Sequence, residues 1–180
     1  KYIPGIVVSK PPHFMSKSEQ EINVSFEQMA IDIGATSAEE AVNDFKIRIG
    51  EPIVPDVHFE YIAEHDLMIG KGFDCRLGCA SILATMQALS QNELAVDIVG
   101  AFAAQEEVGV RGASVTCRTV QPDIAIVFEG CPADDTFVES YASQTALKKG
   151  PMLRHIDGRM ITNPRYQRYA LDLAHEVNIT

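Results

Sequence analysis

Hydrophobic and polar positions change their pattern near residue 69. Before it, apolar residues come in short alternating stretches cut by turn formers. Residues 3–9 read as a strand interrupted by Pro4 and Gly5. The Lys-Pro-Pro-His segment at 10–13 lacks ladder donors and is expected to be a loop, not an interior strand. Residues 28–33 alternate as a short strand. Ser37 followed by Glu40 is a capping box that predicts a helix over 38–45. Residues 53–57 and 59–63 read as strands, with Glu64-His65-Asp66 as a turn. Short strands with one helix predict a small β-rich subdomain over residues 1–69.

Beyond residue 69 the runs lengthen. Residues 78–89 place Ala80, Ile82, Leu83, Met86 and Leu89 on a wide helical face. Residues 96–104 are almost continuously apolar, the pattern of a strand covered on both sides, and 124–128 repeat it. A helix is predicted over 111–120, a further strand over 152–156 and an amphipathic helix over 164–177. That last helix has Asn163 as N-cap and Pro164 in its first turn. Alternating strands and helices predict an α/β fold, a mainly parallel sheet covered by helices, over residues 70–180. No internal repeat or low-complexity segment interrupts it.

Composition narrows the function. With 15 Lys and Arg against 25 Asp and Glu, the formal net charge of -10 argues against nucleic acid as a partner. No apolar run approaches the ~20 residues of a membrane span. The first residues lack a signal-peptide pattern, and Lys1 in place of Met suggests a processed or excised chain. Cys75, Cys79, Cys117 and Cys131 make no Cys-x-x-Cys pair, so neither a zinc knuckle nor a disulfide framework is indicated. Cys75 and Cys79 read as small buried thiols, suited to a reducing, cytoplasmic compartment. The five histidines show no zinc-binding spacing.

The candidate chemistry is carboxylate chemistry. Asp74 lies in a glycine-flanked turn at the start of a helix, Glu106 and Glu107 follow the apolar run 96–104, and Glu129 follows 124–128. Taken singly, each has a plainer reading, a solvated turn or, for Asp74, a helix-start residue favoured by the dipole. Taken together, they fall where strand ends converge on one crevice in an open α/β sheet. Four carboxylates in one cleft repel unless a cation neutralises them, and two divalent ions about 3.5–4 Å apart would do so. Adjacent glutamates leaving a strand point different ways, so one can hold a metal while its neighbour works on water.

Three segments carry a resemblance: Gly-Lys-Gly-Phe-Asp-Cys-Arg-Leu-Gly-Cys at 70–79, Gln-Glu-Glu-Val-Gly-Val-Arg-Gly-Ala at 105–113 and Pro-Asp-Ile-Ala-Ile-Val-Phe-Glu-Gly at 122–130. They resemble the tetrahedral, glutamyl aminopeptidase-like two-metal peptidases, in register across nearly the whole chain. Ser-Lys-Pro-Pro-His at 9–13 and Ile-Asp-Ile-Gly-Ala at 31–35 resemble that family's inserted dimerisation domain; residues 150–154 and 160–164 also look familial. The resemblance implies a zinc-peptidase-like catalytic domain over 70–180, preceded by part of a dimerisation domain over 1–69. It makes Asp74 the ligand shared by both metals, Glu107 a ligand of one and Glu129, where many relatives carry Asp, a ligand of the other. Glu106 becomes the general base. Cys75 stands where many relatives have Asp or Asn, after a peptide bond that the family usually holds cis. Two divalent ions, Zn2+ or Co2+ with Mn2+ also accepted, short peptide substrates and a homo-oligomer are further implications.

The chain departs from the family in histidine. The family's ligand histidines, one in an early His-x-Asp motif and one near the C-terminus, are missing: His65-Asp66 is adjacent, and His155-Ile156-Asp157 lies in the wrong part of the alignment. The expectation is therefore an aminopeptidase parent and a chain that, alone, binds metal weakly and is inactive. A non-catalytic assembly or regulatory module on the same fold is the competing reading. Glycoside hydrolysis is weaker, because adjacent Glu106 and Glu107 are poorly placed to flank a sugar.

Overall fold

The computed structural model describes residues 2–179. The chain divides into two units, Lys1–Lys71 and Gly72–Thr180.

The first unit is built from local hydrogen bonds. Strands β1 (Ile6–Val8) and β2 (Ala30–Asp32) pair antiparallel, with Val7 opposite Ile31. Between them the Pro-Pro-His loop forms a short 3-10 turn, Pro12–Phe14, as the missing amide donors dictate. The one-turn helix α1 (Lys17–Gln20) carries a full capping box, with Ser16 and Glu19 each accepting from the other's backbone N–H. At α2 (Ala38–Asn43) the box expected from the sequence is half made. Ser37 Oγ accepts from the Glu40 amide at 3.1 Å, but the Glu40 carboxylate turns to the amide and hydroxyl of Thr36, 2.7 Å from each. Strands β3 (Glu60–Ile62) and β4 (Leu67–Ile69) form a hairpin whose turn is closed by Tyr61 Oη donating to Asp66 at 2.8 Å. The strand expected over 53–57 makes no ladder; there the Pro55 carbonyl accepts from Lys71 Nζ instead.

The second unit is organised around α3 (Phe73–Leu89), which starts five residues earlier than the apolar periodicity predicts. Its first turn is irregular: Gly72 enters with φ +71°, the Asp74–Cys75 peptide is cis, and both residues have non-helical dihedrals. Helix α4 (Arg111–Val120) matches its predicted bounds, and α5 (Pro164–Glu176) starts from the predicted Asn163 cap.

The mainly parallel sheet expected over residues 70–180 forms no ladder among the described residues. Among the described residues the only ladders are the two antiparallel pairs of the first unit, and residues 96–104 and 124–128 belong to neither. The strand expected over 152–156 is reduced to a single bridge between Ile156 and Ile161. The 96–104 run nevertheless lies against helices, and 124–128 meets α3 at Phe128, whose carbonyl a Cβ on Gly78 would approach to 2.6 Å. A Cβ on Gly100 would come 3.1 Å from Ile82 and 3.2 Å from Met86 of α3, and one on Gly112 of α4 would overlap the Ala104 backbone. Each run thus has helical neighbours but no strand beside it, and Ile126 and Val127 stay 79% and 75% exposed. No apolar side chain among the described residues is fully buried. No helix among the described residues is long and apolar enough to cross a membrane.

Candidate metal centre

Asp74 and Glu129 come from sequence positions 55 residues apart, and backbone packing brings them together. Gly78, the one buried residue of α3, lets the Phe128 carbonyl reach the helix surface: a Cβ there would lie 2.6 Å from that oxygen and 2.7 Å from Cys75 Sγ. One residue past Glu129, Gly130 faces Asp74 across ordinary van der Waals contact. Asp74, Cys75 and Glu129 each offer a ligand atom, all within 4.8 Å of one another.

Glu106 and Glu107 reach this region from a tight turn. The Glu106 carbonyl accepts from the amides of Gly109 at 3.0 Å and Val110 at 2.8 Å, and the Gln105 carbonyl accepts from Arg111. Gln105 and Val110 flank the turn in left-handed conformation, φ +58° and +57°. For a β-branched residue such as Val110 that conformation is an outlier of the kind that collects at functional sites. The turn fixes where the paired glutamates leave the chain.

The electrostatics follow. Asp74 chiefly, then Glu106, slight desolvation and Glu129 raise the Glu107 carboxyl above its ordinary pKa. Every charge acting on it is another carboxylate, and that donor set suits a divalent cation. Burial pushes the Cys75 thiol up, the Glu129 carboxylate adds to the rise, and the amides of Gly78 and Gly130 oppose it. Cys75 is half-buried, and its hydrogen bonds run to the Phe128–Gly130 segment.

All four predicted acids therefore lie in the second unit, with Asp74 and Glu129 in the tight ligand group and Glu107 sensing both. Cys75, expected from the sequence to be a small buried thiol outside the site, belongs to this group. Its one available signal was its place directly after Asp74. Cys79, expected to be buried, is exposed. No histidine belongs to the ligand group.

The family described as M42 glutamyl aminopeptidase matches residues 1–180. The chain belongs to that family. It is 34% identical over 164 residues to the putative aminopeptidase FrvX of Escherichia coli (strain K12), covering 91% of this chain and 45% of that protein. It is 30% identical over 180 residues to the glutamyl aminopeptidase of Lactococcus lactis subsp. cremoris (strain MG1363), covering 99% of this chain and 50% of the other. The crystal structure of a TET aminopeptidase from the marine sediment archaeon Thaumarchaeota archaeon SCGC AB-539-E09 superposes with a TM-score of 0.87 at 35% identity. That match covers 97% of this chain and 49% of the archaeal one. The M42 fold is thereby an α/β peptidase fold, and the chain spans about half the length of the relatives it matches.

Proposed function

We propose that this M42 chain carries the acid cluster of a metal-dependent aminopeptidase, active at the length of its relatives, that removes N-terminal residues from short peptides. The observation that carries the reading is the convergence of Asp74, Glu107 and Glu129, in which each charge acting on Glu107 is another carboxylate. Asp74, Glu107 and Glu129 would hold two divalent ions, Zn2+ or Co2+ with Mn2+ as a third choice, Asp74 being common to both. When bound, the ions polarise the scissile carbonyl and lower the pKa of the attacking water. Glu106, on a turn anchored through its own carbonyl, takes the proton of that water and returns it to the leaving amine. Its neighbour Glu107 holds the cation, so the two roles stay on separate side chains.

With no histidine in the ligand group, the 180-residue chain alone would hold its cations weakly and turn over little. The competing reading is a non-catalytic assembly or regulatory module on this fold. No observation favours a glycoside hydrolase. Self-association into a homo-oligomer, a cytoplasmic location and residues 1–69 as part of a dimerisation domain complete the proposal. The test is metal-dependent hydrolysis of a panel of aminoacyl-anilides, by the chain and by the protein at its relatives' length, with Glu106→Gln as control. Cleavage that needs metal and disappears in the variant supports the enzyme. Silence from the longer protein as well would leave the assembly module.

A further inference from the structure

The Gly130 amide has two acceptors. It donates to the carboxylate of the preceding residue, Glu129 Oε1, at 2.7 Å, and to Cys75 Sγ at 3.2 Å. The same sulfur donates to the Phe128 carbonyl at 3.6 Å. Cys75 thus holds the residues on either side of Glu129, one through its lone pair and one through its proton. Gly78 makes this approach possible, since any side chain there would strike both the Phe128 oxygen and the sulfur.

The arrangement bears on how Glu129 binds a cation. Its Oε1 accepts from its own neighbour's amide, and a rotation of the Glu129 side chain toward a cation would give up that bond. An amide abandoned in a half-buried spot costs stability unless another acceptor is at hand. We propose that Cys75 is a positioning residue for the acid cluster: its thiol clasps residues 128–130 to the start of α3 and keeps the Gly130 amide bonded when Glu129 turns to a cation. This rests on the metal reading of the site and adds to it a thiol that works without ligating.

The experiment has two arms. In the metal-free chain, hydrogen exchange at Gly130 is compared among Glu129→Ala, Glu129→Ala/Cys75→Ala and Glu129→Ala/Cys75→Ser. The clasp predicts that Glu129→Ala keeps Gly130 protected, that adding Cys75→Ala speeds exchange by about tenfold, and that serine, which both donates and accepts, restores protection. Loss of protection in Glu129→Ala alone, or indifference to Cys75→Ala, overturns the clasp. In the second arm Co2+ is titrated to millimolar concentration into wild type, Cys75→Ala, Cys75→Ser and Asp74→Asn. Expected are binding without a sulfur-to-cobalt charge-transfer band, affinity about tenfold weaker in Cys75→Ala and near wild type in Cys75→Ser. A charge-transfer band overturns positioning in favour of direct ligation. Failure of wild type to bind Co2+, or binding unchanged in Asp74→Asn, overturns the metal reading and the metal-linked role with it, while the exchange arm still decides the clasp.

Discussion

Glutamate serves opposite purposes in the two units. In the first, Glu19 accepts from Lys10 Nζ at 2.8 Å and from the Ser16 amide at 2.7 Å, and its carboxyl is held down to about 2. Glu40, bonded to Thr36, is lowered in the same way. In the second, Glu107 has carboxylates for neighbours and is raised. The first arrangement is complete within a single stretch of chain and stabilises the charge it carries. The second gathers acids from positions 74, 106, 107 and 129 and leaves them unneutralised, as a cation site does before loading. Direction of shift, more than the mere presence of acids, separates a structural carboxylate from a site carboxylate.

The largest test of that contrast is Glu106→Gln. In an active protein it should lower peptide turnover by roughly 10²–10⁴-fold, the range for removing a general base. The corresponding Glu39→Gln in α2, a residue of the first unit, should leave turnover unchanged; steady-state kinetics on an aminoacyl-anilide reads both. Next is Gly78→Ala. Its methyl group would meet the Phe128 carbonyl 2.6 Å away, so α3 and residues 128–130 must separate. About 1–3 kcal/mol of stability is expected to go, seen as a lower urea midpoint, along with weaker cation binding. Ser37→Ala, which removes the cap acceptor of α2, should cost about 1 kcal/mol and leave metal binding alone. Equal loss of metal binding in Ser37→Ala and Gly78→Ala would erase the distinction between the units.

The smallest effect is the pH dependence, because these carboxyls are well exposed. Glu19 has a folded pKa depressed from 4.5 to about 2, so its contribution is present above 4.5 and fades as pH falls toward 2. Glu107 runs the other way. Its folded pKa is raised, so its contribution is full below the ordinary carboxyl value and is lost as pH rises through the raised one. Acidification to pH 4 should therefore ease repulsion in the second unit while it begins to weaken the α1 cap. Proton-exchange protection of the two regions, followed from pH 7 to 3, should move in opposite senses.

How much of this was legible depends on the range of the interaction. Helices α4 and α5 could be read because their signals, the amphipathic spacing and the Asn163 cap, lie inside the helix itself. The capping box at Ser37 was read but only half formed, since a free Thr36 amide competes for the Glu40 carboxylate. Residues 96–104 and 124–128 announced by their apolar character that they would be covered. That character does not specify whether a helix or a strand does the covering; among the described residues α3 and α4 approach these runs, no ladder includes them, and Ile126 and Val127 stay exposed. The candidate acids stand out by place, Asp74 in a glycine-flanked turn at a helix start and the glutamates after apolar runs. Cys75 escaped because a single thiol has no periodicity, and its partners lie more than 50 residues away. The loop around Asp134 was unread for a like reason. That carboxylate accepts from Ser143, Gln144 and Thr145, contacts that exist only once the loop has closed.

The most direct test of the cation site is the titration of the Glu107 carboxyl by NMR, with and without Zn2+. Without metal it should titrate above the ordinary glutamate value, and Glu129→Gln or Asp74→Asn should bring it back down. Saturating Zn2+ should drive it well below that value, because a carboxylate ligates deprotonated and metal binding releases its proton to solvent. A Glu107 that titrates normally and ignores both Zn2+ and the Asp74→Asn change would contradict the site.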